Sequence, residues 1–599
     1  MLKRLFSYQT LIGFIILIFS SCQSNNIEWK MAEVPIKTQW AEVIDPANPW
    51  PEYPRPQLVR NDWLNLNGLW QYTIQPIDLD NPTMWDGHIL VPYPVESALS
   101  GVKRQVGKDS ILWYNRQFSV PGKWRGKRIM LHFEAVDWET TIWVNNKKVG
   151  SHKGGYDPFS FDITEMLNKS GKQDLKVSVW DPTSDGTQPR GKQVNDPRGI
   201  WYTPSTGIWQ TVWLEPVPES YIESLQMIPD IDNKSLNISV ESKNLDAEDK
   251  IKTFTYFENK LVDESIFDVD KSYSIQVPDL QLWSPDTPSL YEIKVQLVRE
   301  EKIIDQVDSY FGMRKISLEK DDSGIFKIFL NNSFVFHNGP LDQGFWPDGL
   351  YTPPSDEAMK YDLDMIKAMG FNMLRKHVKI EPRRFYSWCD KMGILVWQDM
   401  PSGDRYIRHN EPDIERTEES AKQFEWELSR LIKTKFNHPS IVIWVPFNEG
   451  WGQYKTAEIV DIIKKIDPSR LVNSVSGWAD RGVSDMLDLH HYPEPICPDL
   501  QENRAIVLGE FGGLGLGIDG HTWVDENWGY RNMQTKEELL QKYSDFYTEV
   551  WKFRDNGGLS AAVYTQITDV ETETNGLITY DRKIIKMDPK ELMKINTGK

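Results

Sequence analysis

The chain has 599 residues, 40% of them hydrophobic and 26% charged, with a formal net charge of −19. That apolar content excludes a disordered chain, and the length exceeds what one hydrophobic core supports, so two to four domains are predicted. The acidity, unrelieved by any Lys/Arg-rich run, excludes nucleic acid as a partner.

The chain opens with Lys3 and Arg4 before an apolar stretch, Leu11 to Phe19. It is too short to span a bilayer and long enough for the core of a secretion signal. "LIFSSC" follows, and small residues directly before Cys22 resemble a bacterial lipoprotein processing site. Residues 1–22 are therefore expected to be a leader, with Cys22 diacylated and the mature chain anchored to a membrane. The expected location is the periplasm or outer membrane of a Gram-negative bacterium; "QSNN" after Cys22 has no acidic run, which favours the periplasmic face. Cys389 and Cys497 are expected as buried free thiols.

From 40 to 218 the sequence reads as many short strands. "TTIWVNNKKVG" places Asn145-Asn146 between two runs of β formers, a hairpin signal, and "LKVSVW" puts Leu175, Val177 and Val179 on one face. A β-sandwich of jelly-roll type is predicted. From 219 to 318, "LNISVES" and "YEIKVQLV" alternate apolar and polar residues, predicting an immunoglobulin-like sandwich.

From 319 to 599 the pattern changes. Eight apolar runs begin at Ser333, Phe371, Gly393, Ile441, Leu471, Asp485, Ala505 and Leu559. Helical segments separate several of them. Ser355 caps one helix, with Met359, Leu363 and Ile366 on one face and Gly370 at its end. Thr535 and Glu538 form a capping box before a stripe of Leu539, Tyr543, Phe546 and Val550. The prediction is a (β/α)8 TIM barrel with its site at the C-terminal ends of the strands.

Two of those strands end in Glu: the fourth at Asn448-Glu449, within "HPSIVIWVPFNEGWGQ", and the seventh at Glu510, within "VLGEFGG". Strands four and seven face each other across a barrel mouth. Two carboxylates so placed suit retaining hydrolysis of a glycosidic bond, which needs an acid and a nucleophile about 5 Å apart. Either Glu alone reads as a rim salt bridge.

The order of these domains, with "NE" on strand four and "GE" on strand seven, resembles glycoside hydrolase family 2. "RPQLVRNDWLNLNGLWQY", "LHFEAVDWETTIWVNNKKVG" and "TGIWQTVWLEPV" are similar to its sugar-binding domain, and "FGMRKI" to its lead into the barrel. The resemblance implies an exo-acting retaining β-glycosidase, β-galactosidase-like, that trims oligosaccharides from plant or algal polysaccharides. It assigns Glu449 as acid/base and Glu510 as nucleophile. Asn448 is implied to bond the sugar 2-hydroxyl, and Arg375 to support the nucleophile. Tyr492 sits where relatives place a Tyr near the nucleophile. His377, His490, His491 and Asp342 are further substrate-binding candidates, and Tyr564 stands where relatives carry a Trp platform. Trp451 is the preferred sugar platform, and Trp346, Trp397 and Trp478 are other pocket aromatics. Asp404 and Arg405 are candidate gate residues.

Departures narrow the substrate. The uronate-gripping Asn-x-Lys of β-glucuronidases reads here as Asn575-Gly576-Leu577. Asp399 stands alone where galactosidases place a metal-ligating Glu, so no metal and no cofactor are expected. The alternatives are a β-mannosidase, a β-glucuronidase, a furanosidase for arabinose or galactose, or a non-catalytic glycan-binding lipoprotein.

Overall fold

The computed structural model describes residues 29–79, 81–269, 271–409 and 411–598. The leader and Cys22 lie outside these residues. Among the described residues no helix is long and apolar enough to cross a membrane.

Strand alternation folds the first region into two facing sheets, of six and four strands. Asn145 and Asn146, at φ 51° and 60°, form the tight turn between Glu139–Val144 and Lys147–Lys153. Asparagine tolerates the left-handed backbone that a two-residue hairpin needs to match strand twist. Leu175, Val177 and Val179 are fully buried between the sheets. A second sandwich, three strands against four, occupies Tyr221 to Phe311 around its own core.

Eight parallel strands follow: His337–Asp342, Met373–Lys376, Leu395–Asp399, Ile441–Val445, Leu471–Val472, Met486–His491, Ala505–Gly512 and Leu559–Thr565. They pair in chain order, and the first also pairs with the eighth, so the sheet curls almost closed with its seam between the fifth and sixth. Continuous apolar runs suit strands covered on both faces; all five residues of Ile441–Val445 are buried. Helices follow the first four strands and the last two. Ser355 Oγ accepts from the Ala358 N–H at 3.1 Å, and Thr535 Oγ1 from the Glu538 N–H at 3.1 Å. The Glu538 carboxylate reaches back to the Gln534 N–H, one residue before the cap. Cys389 is buried and Cys497 half-buried, both unbridged.

A small sheet of Ile316–Lys320, Phe326–Leu330 and Ser333–Phe334 closes the barrel base, where Ile316, Ile328 and Leu330 join Leu341, Trp397 and Val445 in one core. Arg314, from "FGMRKI", donates to the carbonyls of Pro439, Ile441 and Ser469. Asp390 locks the second sandwich to the fourth strand. Its carboxylate accepts from the Tyr310 hydroxyl at 2.8 Å and the Ser440 N–H at 2.9 Å, and it pairs with His438 Nδ1 at 2.6 Å.

The first two strands approach closely at Gly339, where a Cβ would lie 1.9 Å from the Met373 carbonyl oxygen. Gly339→Ala must push the second strand aside. Overpacking of this kind costs about 1–3 kcal/mol, so a lower thermal midpoint by circular dichroism is expected; an unchanged midpoint would show that the strands part freely.

Candidate active site

Alternation along the barrel strands sorts the charged residues. On the second strand Arg375 turns inward, while Lys376 turns out to Asp342, at 2.6 Å, and Glu381, at 3.0 Å. The inward Arg375 is fully buried. Its Nε and Nη2 donate to Asp399 at 3.0 and 2.8 Å, its Nη1 to Glu510 Oε1 at 3.0 Å, and its Nη2 also to Asn448 Oδ1 at 2.8 Å. The planar fork of a guanidinium fits this paired recognition.

Glu449 lies in the turn after the fourth strand with φ 52°. A left-handed backbone at a non-glycine residue costs roughly 1–3 kcal/mol and persists only where neighbours enforce it. Here the Glu449 N–H donates to the Ser476 carbonyl at 2.8 Å, and the Trp451 N–H to the Asn448 carbonyl at 2.8 Å.

Glu510 is held at both oxygens, Oε1 by Arg375 and Oε2 by the Tyr492 hydroxyl, which also meets Thr565 Oγ1 at 2.7 Å. Burial, then the charge of Glu510, pushes the Tyr492 pKa well above its ordinary value, so Tyr492 stays a phenol and donates. Before Glu510, Gly509 leaves room for Asp488: its N–H donates to Asp488 Oδ1 at 2.6 Å, and a Cβ would sit 2.3 Å from that oxygen.

His490 links the two glutamates. Its Nδ1 is 2.8 Å from Glu449 Oε1 and 3.5 Å from Glu510 Oε1; its Nε2 is 2.7 Å from Ser476 Oγ, which donates to Asp488 Oδ2 at 2.6 Å. Glu449 at Nδ1 and Ser476 Oγ at Nε2 favour the imidazolium, against Arg375 Nη1, which lies 3.3 Å from Nε2. Burial opposes that charge, but Glu510, Glu449 and Asp488 outweigh it and raise the His490 pKa. Burial likewise pushes Glu449 up, yet the hydrogen bond and charge of His490, with Lys192 and Arg375, bring it below the usual carboxylate value. One oxygen of Glu449, one nitrogen of His490 and one oxygen of Glu510 lie within 4.8 Å of one another. Among the described residues this trio is the one group of His, Cys, Asp or Glu close enough to share a metal ion.

His377 Nδ1 meets Asp399 Oδ2 at 3.0 Å, and burial drives its pKa well down, so it is neutral and Nε2 is left as an acceptor. Trp478, half-buried, stands edge-on to His490 at 5.9 Å. Both belong to the site.

Other expected residues are displaced. Tyr564 is fully buried, edge-on to Phe511 and Tyr543, and is no platform. Trp451 is 6% exposed, its ring covered by Trp201 and by the Arg190 guanidinium, so it packs rather than stacks on a ligand. His491 points away from His490 and bonds the Glu494 carbonyl. Asp342 serves the ionic network of Lys376 outside the barrel. Trp346 packs on Trp40 and under the Arg582 guanidinium, and Trp397 lies in the barrel core bonded to His337. Asp404 ties its loop to Ser420 and Arg416, whereas Arg405 is exposed. The Asp399 carboxylate is engaged by Arg375 and His377.

Sequence reading missed two contributions. Tyr530, 40% exposed, stacks on Tyr492 at 3.8 Å and provides the open aromatic face beside Glu510. From the first sandwich, Arg190 to Thr203 crosses to the barrel mouth: the Tyr202 hydroxyl donates to Glu573, and the Thr203 N–H to Glu571 at 3.0 Å. Nothing local in "RGIWYTP" says where that segment docks.

Models of glycosyl hydrolases family 2 match the sugar binding domain at residues 88–218, the central domain at 220–314 and the TIM barrel domain at 354–503. A β-galactosidase of Thermoanaerobacter pseudethanolicus is 26% identical over 441 residues, 69% of this chain and 56% of the relative. A β-glucuronidase of Bacteroides fragilis is 23% identical over 589 residues, 88% of this chain and 80% of the relative. In structure, a β-D-glucuronidase of Dictyoglomus thermophilum superposes with a TM-score of 0.72 at 18% identity, covering 91% of this chain and 98% of that one. The chain spans 56% and 50% of the lengths of the first two relatives matched. With family models matching all three domains in order, this chain belongs to glycosyl hydrolase family 2.

Proposed function

We propose that the chain is an exo-acting retaining β-glycosidase, with Glu510 as nucleophile and Glu449 as acid/base. The observation that carries this reading is the approach of one oxygen of each carboxylate to within 4.8 Å at the ends of facing strands. Retention needs them about 5–5.5 Å apart, whereas inversion needs roughly 6.5–9.5 Å to admit a water.

Glu510, aimed by Arg375 and Tyr492, attacks the anomeric carbon as the leaving oxygen takes a proton from Glu449. Glu449 then deprotonates the water that hydrolyses the glycosyl-enzyme. His490 and Glu449 together keep one proton, stored mainly on His490 and delivered through Glu449. Asn448, its oxygen occupied by Arg375, turns its amide hydrogens to the sugar 2-hydroxyl, a contact that strengthens in the transition state. His377 Nε2 accepts from a sugar hydroxyl, and Tyr530 with Trp478 flanks the ring.

For the sugar, the relatives include both β-galactosidases and β-glucuronidases. The Asn575-Gly576-Leu577 turn is buried and carries no cation, so it offers no grip for a carboxylate on the sugar. The lipid anchor at Cys22 belongs to the same proposal, supported by "LIFSSC". Radiolabelled palmitate should label the expressed chain and not its Cys22→Ser variant; equal labelling removes the anchor.

Glu510→Ala should reduce hydrolysis of aryl β-glycosides to background. Glu449→Ala should slow substrates with poor leaving groups by about 10²–10⁴-fold, with little effect on dinitrophenyl glycosides. Wild-type rates in both variants would end the proposal.

His490→Asn separates proton storage from acidity. Losing the imidazolium raises the Glu449 pKa, because burial is then less opposed. The alkaline limb of kcat/KM nevertheless moves down by about one unit or more, because the proton is no longer held at the raised pKa of His490. An alkaline limb that stays in place rules out the shared proton.

A further inference from the structure

The segment from Arg190 to Thr203 belongs to the first sandwich in sequence and to the barrel mouth in space. The Arg190 and Gly191 N–H groups donate to the Ser402 carbonyl, both at 2.9 Å, beyond the third strand. Trp201 meets Trp451 beyond the fourth, edge-on at 4.7 Å. Tyr202, Thr203 and Gly199 bond Glu573, Glu571 and Thr572 beyond the eighth.

Lys192 rides on this strap. It is 7% exposed, and its carbonyl is tied to the Tyr202 N–H at 2.9 Å. Its ammonium lies over the Trp201 ring at 5.2 Å. Lys376, Lys379 and Lys586, buried as deeply, each sit within 3.0 Å of a carboxylate. Among the described residues Lys192 has no such carboxylate and no hydrogen-bond acceptor. An ammonium held on a mostly buried side chain with only an aromatic face for company has all three donors to spare. Glu573, the nearby acid on the strap's far side, is satisfied by Tyr202 and Asn575 instead. Trp201, under the Lys192 ammonium, abuts Trp451 two residues after Glu449, and the charge of Lys192 is felt at Glu449, His377 and Glu573. Arg375 is wholly engaged and His377 is neutral, so Lys192 is a cation with capacity to spare near Glu449.

We propose that Lys192 is a specificity-determining residue whose ammonium receives an anionic substituent, a carboxylate or a sulfate ester, on the sugar between Glu449 and Glu510. The proposal rests on the glycosidase reading above and adds to it the charge of the sugar. An ammonium suits either oxyanion, since three rotatable donors meet several acceptor oxygens.

The test compares wild type, Lys192→Met and Lys192→Arg on 4-nitrophenyl β-glucuronide, 4-nitrophenyl 6-sulfo-β-galactoside and 4-nitrophenyl β-galactoside. Wild type should favour one anionic substrate over the neutral one, and the favoured arm names the anion. In Lys192→Met the ratio of anionic to neutral kcat/KM should fall about 30-fold, chiefly through KM, as for a lost charged hydrogen bond; Lys192→Arg should restore much of it. A ratio unchanged in Lys192→Met, or a wild type that prefers the neutral galactoside, overturns the assignment. If wild type cleaves none of the three, calorimetry with sodium glucuronate and galactose decides Lys192 separately from the glycosidase reading. Tighter binding of glucuronate that is lost in Lys192→Met upholds it, and equal binding of the two sugars overturns it.

Discussion

Arg375 is the interaction on which the site depends. A guanidinium with no exposed surface at the centre of a barrel mouth is tolerable only because Asp399, Glu510 and Asn448 surround it. Removing one partner of such a buried group costs about 3–5 kcal/mol, because the other is left charged without a counterion. The same constraint that keeps Arg375 in place therefore fixes the second, third, fourth and seventh strands relative to one another. It orients a carboxylate and an amide side chain as a consequence.

The two glutamates receive unequal treatment. Glu510 is held at both oxygens and its side chain is 7% exposed, whereas Glu449 is 21% exposed and held mainly by His490. A nucleophile benefits from being aimed, and an acid/base must meet in turn a leaving oxygen and a water. The left-handed backbone at Glu449 serves that exposure. It lifts the carboxylate out of the strand's alternation and into the opening.

The first sandwich shapes the pocket as well as flanking it. Its strap covers Trp451, reaches the loops after three barrel strands and sets Lys192 over Trp201 at the barrel mouth. Charge at the mouth is thus drawn from two domains: the barrel supplies Arg375 and His490, and the neighbouring domain supplies Lys192, whose charge is felt at Glu449.

Sequence alone determined the elements whose cause is local. Eight apolar runs became eight strands because each is long enough to pair and apolar enough to be covered on both faces. The caps at Ser355 and Thr535 were legible because they involve residues three apart. Glu449 and Glu510 could be named because they end apolar runs, whereas Asn448 and Arg375 were named through the resemblance to the family. The tertiary structure decided what alternation cannot carry through an irregularity. Register shifts between Leu489 and His490, and between Leu508 and Phe511, set which neighbours the strand-end residues meet, leaving His490 inside, His491 outside and Tyr564 in the core. It also brought Tyr530 and Lys192 to the mouth from a loop and from another domain, because their positions depend on docking between surfaces far apart in the chain, which no local pattern encodes.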